Sequence, residues 1–164
     1  MPIELRKIDA IERPVLERLF QYYLYDLSQF ADWSVSGDGT FAYPSDLLSP
    51  YWAQTDHHPY FITRQGEIAG FSLVRRAPDT DQTWDMGQFF VLRKYRHDGI
   101  GRTAFSASVN AHPGQWQVRV LPDNKPAYDF WKRCIARVCA DTPHETTKTY
   151  RSIEMAFFSF QAGT

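Results

Sequence analysis

Cysteine is scarce: the 164 residues include only two. Cys134 and Cys139 fall in a stretch that reads as helix, where ~1.5 Å of rise per residue sets their backbones roughly 7.5 Å apart along the axis. That is too far for a disulfide, so the sequence predicts reduced thiols and a reducing compartment. Long apolar runs are missing as well. The N-terminal MPIELRKIDA lacks the core of a signal peptide, and no stretch is long enough to cross a bilayer, so a cytoplasmic location and no membrane partner are expected. Charge of one sign is also lacking, with 18 Lys and Arg interspersed among 19 Asp and Glu. Nucleic-acid binding requires a basic stripe, so no nucleic-acid partner is expected. There is no Walker A pattern. His57-His58 have no other ligands at suitable spacing, so they read as a loop entering a strand and no metal is expected.

Aromatic residues are abundant, with 12 Phe, 9 Tyr and 5 Trp supplying core and ring-lined pockets. The length fits one domain spanning residues 1–164, able to fold without disulfide or metal staples. Ile3 to Ile8 alternates as a first strand. Leu16, Leu19, Phe20, Tyr23, Leu27 and Phe30 recur at helical spacing after Pro14. A loop over Ser34 to Tyr43 and a short helix around Ser45 to Ala53 follow. His58 to Arg64 and Glu67 to Arg76 form a hairpin about Gln65-Gly66. Trp84 to Leu92 is a strand, Gly99 to Ala111 a helix, Trp116 to Leu121 a strand, Asn124 to Cys139 a helix and Thr149 to Phe160 a closing strand. This order predicts a mixed α/β sandwich with an antiparallel front half.

The most informative stretch runs from the strand end at Phe90-Val91-Leu92 through Arg93-Lys94-Tyr95-Arg96-His97-Asp98 to Gly99-Ile100-Gly101-Arg102. A strand gives way to a turn, and two glycines open a helix. That arrangement turns backbone N–H groups outward at the positive end of the helix dipole, which suits a pyrophosphate. Gly99 and Gly101 present no Cβ to an approaching phosphate, and Arg96 and Arg102 can add charged hydrogen bonds. Gly99-x-Gly101-x-x-Ala104 also satisfies a dinucleotide fingerprint, with Asp123 near the distance of a ribose-binding acid. However, too few βα units follow to build a doubly wound sheet. Further on, Asn124-Lys125-Pro126-Ala127-Tyr128-Asp129-Phe130-Trp131 opens a helix with an N-cap and a first-turn proline.

Taken together, Arg-x-x-Gly-x-Gly and Asn-x-x-Ala-x-x-Phe-aromatic resemble the GNAT superfamily of N-acetyltransferases. Tyr22 to Ser28 and Phe89 to Arg96 are similar to a poorly characterised bacterial branch of it. The resemblance implies a mostly antiparallel central sheet flanked by helices, with splayed strands admitting coenzyme A. It implies acetyl-coenzyme A as co-substrate and direct transfer of the acetyl group to an amine of a small acceptor. The backbone of Phe90, Val91 and Leu92 would pair with the pantetheine arm, an N–H near Val91 would polarise the thioester, and Arg96, His97, Asp98, Gly99, Ile100, Gly101 and Arg102 would take the pyrophosphate. Asn124 would contact the pantetheine arm, and Trp131 would line the cofactor site.

Many relatives carry a tyrosine where Trp131 stands and use it to protonate the departing thiolate. An indole N–H is too weak an acid, so Tyr128, one turn earlier, is the substitute candidate. Asp85, at the start of its strand, is the candidate base, and Gln88 would orient substrate or water. On the first helix Tyr22, Asp26, Gln29 and Trp33 share a face that would suit a polar or cationic acceptor under a lid formed by residues 34–43. Trp131 also keeps a second reading open, a non-catalytic acyl-coenzyme A sensor of the same fold. Dimerisation is common in the superfamily, so a homodimer is compatible with the resemblance.

Overall fold

A computed structural model describes residues 2–163. Seven strands form one sheet: β1 (Ile3–Lys7), β2 (His57–Arg64), β3 (Glu67–Arg76), β4 (Thr83–Val91), β5 (Gly114–Val120), β6 (His144–Tyr150) and β7 (Ile153–Ala162). Their spatial order is β1-β2-β3-β4-β5-β7-β6. Every neighbouring pair is antiparallel except β4 and β5, which run parallel. Helices α1 (Arg13–Leu27) and α2 (Pro50–Ala53) cover one face, and α3 (Ile100–Ala111) and α4 (Lys125–Val138) cover the other.

Alternation along the central strands divides the core into two layers. Phe71 and Leu73 of β3 meet Leu16, Phe20 and Leu24 of α1. Val74 on the opposite face joins Phe105 of α3, Trp116 of β5 and Ile135 of α4. Burial of such side chains stabilises by roughly 1.5–3 kcal/mol each, so the two apolar layers hold the helices to the sheet.

The last expected strand is in fact two. Residues of β6, HETTKTY, are polar and almost wholly exposed at the sheet edge, so they carry no apolar alternation for a sequence reading to detect. They pair antiparallel with β7 through a turn at Arg151 and Ser152, whose φ values of 49° and 68° match the twist a two-residue hairpin prefers. The helix expected around Ser45 to Ala53 is split into a 3-10 turn, Ser45–Leu47, and the four-residue α2. Helix α1 stops at Leu27, one turn before Phe30.

Candidate active site

Strands β4 and β5 pair only at Thr83, Trp84 and Asp85, opposite Gln115, Trp116 and Gln117. Beyond Asp85 they separate. A β-bulge sits at the same place: Met86 opposes Val74 and Gln88 opposes Leu73, leaving Gly87 as the extra residue of β4. The separation opens a cavity of about 770 Å³ that runs from α1 through the sheet to the N-terminus of α3. That volume is within the range of pockets that bury a small organic ligand.

Main-chain direction along β4 decides which groups reach the gap. The N–H of Leu92 bonds to Ala69 O on β3 at 2.8 Å. Backbone groups alternate sides along a strand, so Phe90 and Leu92 both turn toward β3 and only Val91 of the expected three faces the gap. The Val91 carbonyl accepts from Arg96 Nε at 2.9 Å, on that open side.

The turn beyond β4 has the expected character. His97 and Gly99 take φ values of 74° and 76°, and Gly99 caps α3 in the left-handed region. A 12-residue helix presents its free N-terminal N–H groups there. His97, Gly99, Ile100, Gly101 and Arg102 all line the cavity. The side chain of Asp98 instead turns away to Arg64, 3.2 Å distant. Gly101 also has a packing role, since a Cβ there would stand 3.0 Å from the Phe130 ring. Its bareness lets α4 approach α3. Asn124 caps α4 by accepting from the Ala127 N–H at 3.2 Å, and it lines the cavity.

Trp131 is only 7% exposed, wedged edge-on against Phe89, Phe105 and Phe130 with centroids 5.0–5.2 Å away. It borders the cavity as a packed ring. Cys134 also borders it, but burial pushes its thiol up to about 11, which leaves a poor nucleophile.

The two residues expected to move protons lie elsewhere. Tyr128 does not line the cavity; it packs on Phe158 and donates to Glu145 Oε1 at 2.7 Å, reaching toward β6. Asp85 is fully buried and does not face solvent. Its carboxylate accepts from Arg75 Nε at 2.8 Å, Arg119 Nη2 at 2.9 Å and Gln117 Nε2 at 3.0 Å. Burial alone would raise its pKa, but Arg119 and Arg75 overcome that and hold it below the usual carboxylate value. An acid so held anchors arginines and is a weak proton acceptor.

The structure brings Asp26 of α1, and Gln29 and Trp33 from the segment after the helix, to the cavity and leaves Tyr22 outside it, 59% exposed. Its neighbour Tyr23 turns inward and donates to Gln88 Oε1 at 2.6 Å, with burial raising its pKa well above the phenol range. The loss of Tyr22 follows from helix geometry: Phe20, Tyr23, Leu24 and Leu27 form the inward stripe, and Tyr22 falls off its edge. Asp26 is not free for a cationic acceptor, because its two oxygens accept from Arg93 Nη2 and Arg96 Nη2, each at 2.9 Å. Burial opposes ionisation of Asp26, and the two arginines outweigh it, so its pKa lies below the ordinary value.

Among the cavity residues that carry no sequence signal are Arg119, Tyr150 and Arg151. The Tyr150 hydroxyl accepts from Arg75 Nη2 at 2.9 Å and Arg151 Nε at 3.3 Å, and the Arg119 guanidinium lies 4.0 Å over its ring. Burial would raise the phenol pKa, but Arg119 and Arg75 turn the shift downward. Two of these residues come from the β6–β7 hairpin, whose first strand is invisible to periodicity. Among the described residues no group of three or more His, Cys, Asp or Glu could hold a metal ion, and no helix is long and apolar enough to cross a membrane.

The β4–β5 gap ends on the glycine-opened N-terminus of α3. Residues 19–134 match the model of the Acetyltransferase (GNAT) family, and the chain belongs to that family. No curated protein matches this chain. Solved structures do share its fold. An acetyltransferase from Thermus thermophilus superposes with a TM-score of 0.70 at 11% identity, covering 98% of this chain and 97% of its own. The enzyme AAC(6')-Ib, in complex with ribostamycin and coenzyme A, gives 0.69 at 14% identity, covering 98% and 94%. Spermidine N-acetyltransferase from Vibrio cholerae, in complex with coenzyme A and spermine, gives 0.67 at 10% identity, covering 98% and 95%.

Proposed function

We propose that this GNAT-family acetyltransferase is acetyl-coenzyme A-dependent and acetylates an amine of a small acceptor by direct transfer. The observation that carries the reading is the opening of β4 from β5 after Asp85, with the Val91 backbone turned into the gap. One end of the cavity offers Arg96, Arg102, Arg133 and Arg137 beside the start of α3, which fits the phosphates of coenzyme A. The other end reaches α1 and the β6–β7 hairpin, where the acceptor would sit.

In this reading coenzyme A supplies the acetyl group as an activated thioester. The Val91 N–H donates to the thioester oxygen as that oxygen gains charge, a contribution commonly worth ~3 kcal/mol. Gln88, with its amide oxygen held by Tyr23, directs its remaining N–H groups toward the acceptor. The exchange makes one C–N bond and breaks one C–S bond; the amine gives up a proton and the departing sulfur takes one. A thiol with pKa of about 8.5 leaves tolerably near neutral pH, so Trp131 in place of a tyrosine is compatible with turnover. Tyr23 and Tyr150 both border the acceptor end, and Tyr150, whose pKa Arg119 and Arg75 lower, replaces Tyr128 as the candidate for proton handling.

Calorimetric titration with acetyl-coenzyme A and, separately, NADH tests the cofactor half of the proposal. A single acetyl-coenzyme A site and no NADH binding is expected. Binding of NADH without acetyl-coenzyme A would overturn it in favour of the dinucleotide fingerprint.

A further inference from the structure

The charges lining the cavity are one-sided. Among the described residues the only carboxylate that lines it is Asp26, and both its oxygens are already held by Arg93 and Arg96. With Asp26 so engaged, the other charged residues of the acceptor end are Arg119 and Arg151. Arg119 spends Nε and Nη2 on Asp85 and on Gly87 O, but Nη1 has no partner among the described residues. Among the described residues no unpartnered side-chain nitrogen is fully buried, so Nη1 keeps some access to solvent, and Arg119 lines the cavity. Arg151 spends Nη2 on Asp46 and Nε on Tyr150, which likewise leaves Nη1 unengaged. Asp85 balances only one of Arg75 and Arg119, because it is a single carboxylate shared between two guanidiniums.

We infer that the acceptor is an amine that also carries an anionic group, a carboxylate or its phosphorus analogue, seated on Arg119 and Arg151, with an apolar body against Phe30, Leu47 and Met155. This rests on the acetyltransferase reading and narrows its substrate class. Arginine nitrogens arranged around a planar anion favour bidentate, charge-assisted bonds. A polycation entering the same end would meet two guanidiniums and no free carboxylate, a repulsion greatest beside the buried Arg119. The expectation of a cationic acceptor on Asp26 is therefore reversed.

The test compares thiol release from acetyl-coenzyme A with matched amines that differ only in the acid group: leucine against isopentylamine, phenylalanine against phenethylamine, and aminoalkylphosphonates against the parent amines. Spermidine and ribostamycin serve as polycations. At least one acid-bearing member should turn over with kcat/KM roughly tenfold or more above its acid-free partner, as loss of one charge-assisted contact implies. Whether the carboxylate or the phosphonate series responds identifies the anion. Arg151→Gln should raise KM for the acid-bearing amine about tenfold while KM for acetyl-coenzyme A is unchanged. Preference for acid-free amines or polycations would overturn the inference, as would acetyl-coenzyme A binding without turnover of any acid-bearing amine. An Arg151→Gln effect equal on both members of a pair would also overturn it. Each of these results leaves the cofactor site standing, whereas absence of acetyl-coenzyme A binding would remove the parent reading itself.

Discussion

Arg96 donates from Nη2 to Asp26 Oδ2 at 2.9 Å, tying the turn before α3 to the last turn of α1 on the opposite face of the sheet. The same guanidinium covers the Val91 carbonyl through Nε. Asp26 thus competes with a pyrophosphate for the charge of Arg96 and Arg93. Asp26→Asn should tighten acetyl-coenzyme A binding by about threefold at low ionic strength, with the gain shrinking as salt screens it. Calorimetry at two salt concentrations checks this; weaker binding in the variant would mean that Asp26 serves to aim Arg96.

Asp85 holds Arg75 and Arg119 in place, so its replacement should be felt in stability before rate. Asp85→Asn leaves two buried guanidiniums facing a neutral amide and should cost ~3 kcal/mol in denaturant unfolding. The stabilisation is present above the unfolded carboxyl value near 3.9 and is lost as pH falls through the lower folded value. The pH–rate profile of the folded variant should keep its shape. A displaced acid limb would restore Asp85 to the role of base.

Gly87 makes the bulge possible because a Cβ there would stand 2.2 Å from the Tyr51 hydroxyl and 3.2 Å from Leu73 O. Gly87→Ala should destabilise by ~2 kcal/mol, and Tyr51→Phe should relieve most of that by removing the obstructing oxygen. Thermal unfolding of the two single variants and the double variant measures it. Additive losses would show that the overlap is not the cause.

His112 packs against His58 and Trp84 with centroids 4.5 and 4.6 Å away, and its Nε2 meets the Tyr60 hydroxyl at 2.8 Å. Burial, with His58 and Arg76 adding repulsion, pushes its pKa down to about 4. The unfolded imidazole takes up its proton near pH 6.5, so between 6.5 and 4 the unfolded state binds more protons. Stability should be full above about pH 6.5 and fall by less than ~1.4 kcal/mol per pH unit down to about 4, softened by partial solvent access. His112→Gln should flatten that slope in pH-dependent urea unfolding; an unaltered slope would acquit His112.

The end of the cavity at the start of α3 is built from residues with local sequence signals, and the end at α1 and the β6–β7 hairpin is not. Gly99, Gly101 and Asn124 carry local signals, two glycines that open one helix and an N-cap that opens the next, each written in a few adjacent residues. Periodicity places β2, β3, β4, α3 and α4 to within about two residues because each buries an apolar stripe. Strand β6 exposes every residue but Tyr150, so it leaves no periodic trace; the strand expected from Thr149 runs through the turn, and the cavity positions of Tyr150 and Arg151 go undetected. The expectations for Asp85 and Tyr128 rest on position along the chain. Asp85 meets partners on β3 and β5, distant in sequence, and Tyr128 meets Glu145 on the polar edge strand. Tyr22 is one position off the inward face of α1.

Formation of an acetylated amide is the central claim, and mass spectrometry of a single-turnover reaction reads it directly. Protein in excess over acetyl-coenzyme A is mixed with the amine panel and quenched, and free coenzyme A and acetyl-amine are quantified together. Equal amounts of the two, appearing only when amine is present, are predicted. Acetyl-coenzyme A that binds yet stays intact with every amine would contradict the account and leave a sensor of the same fold.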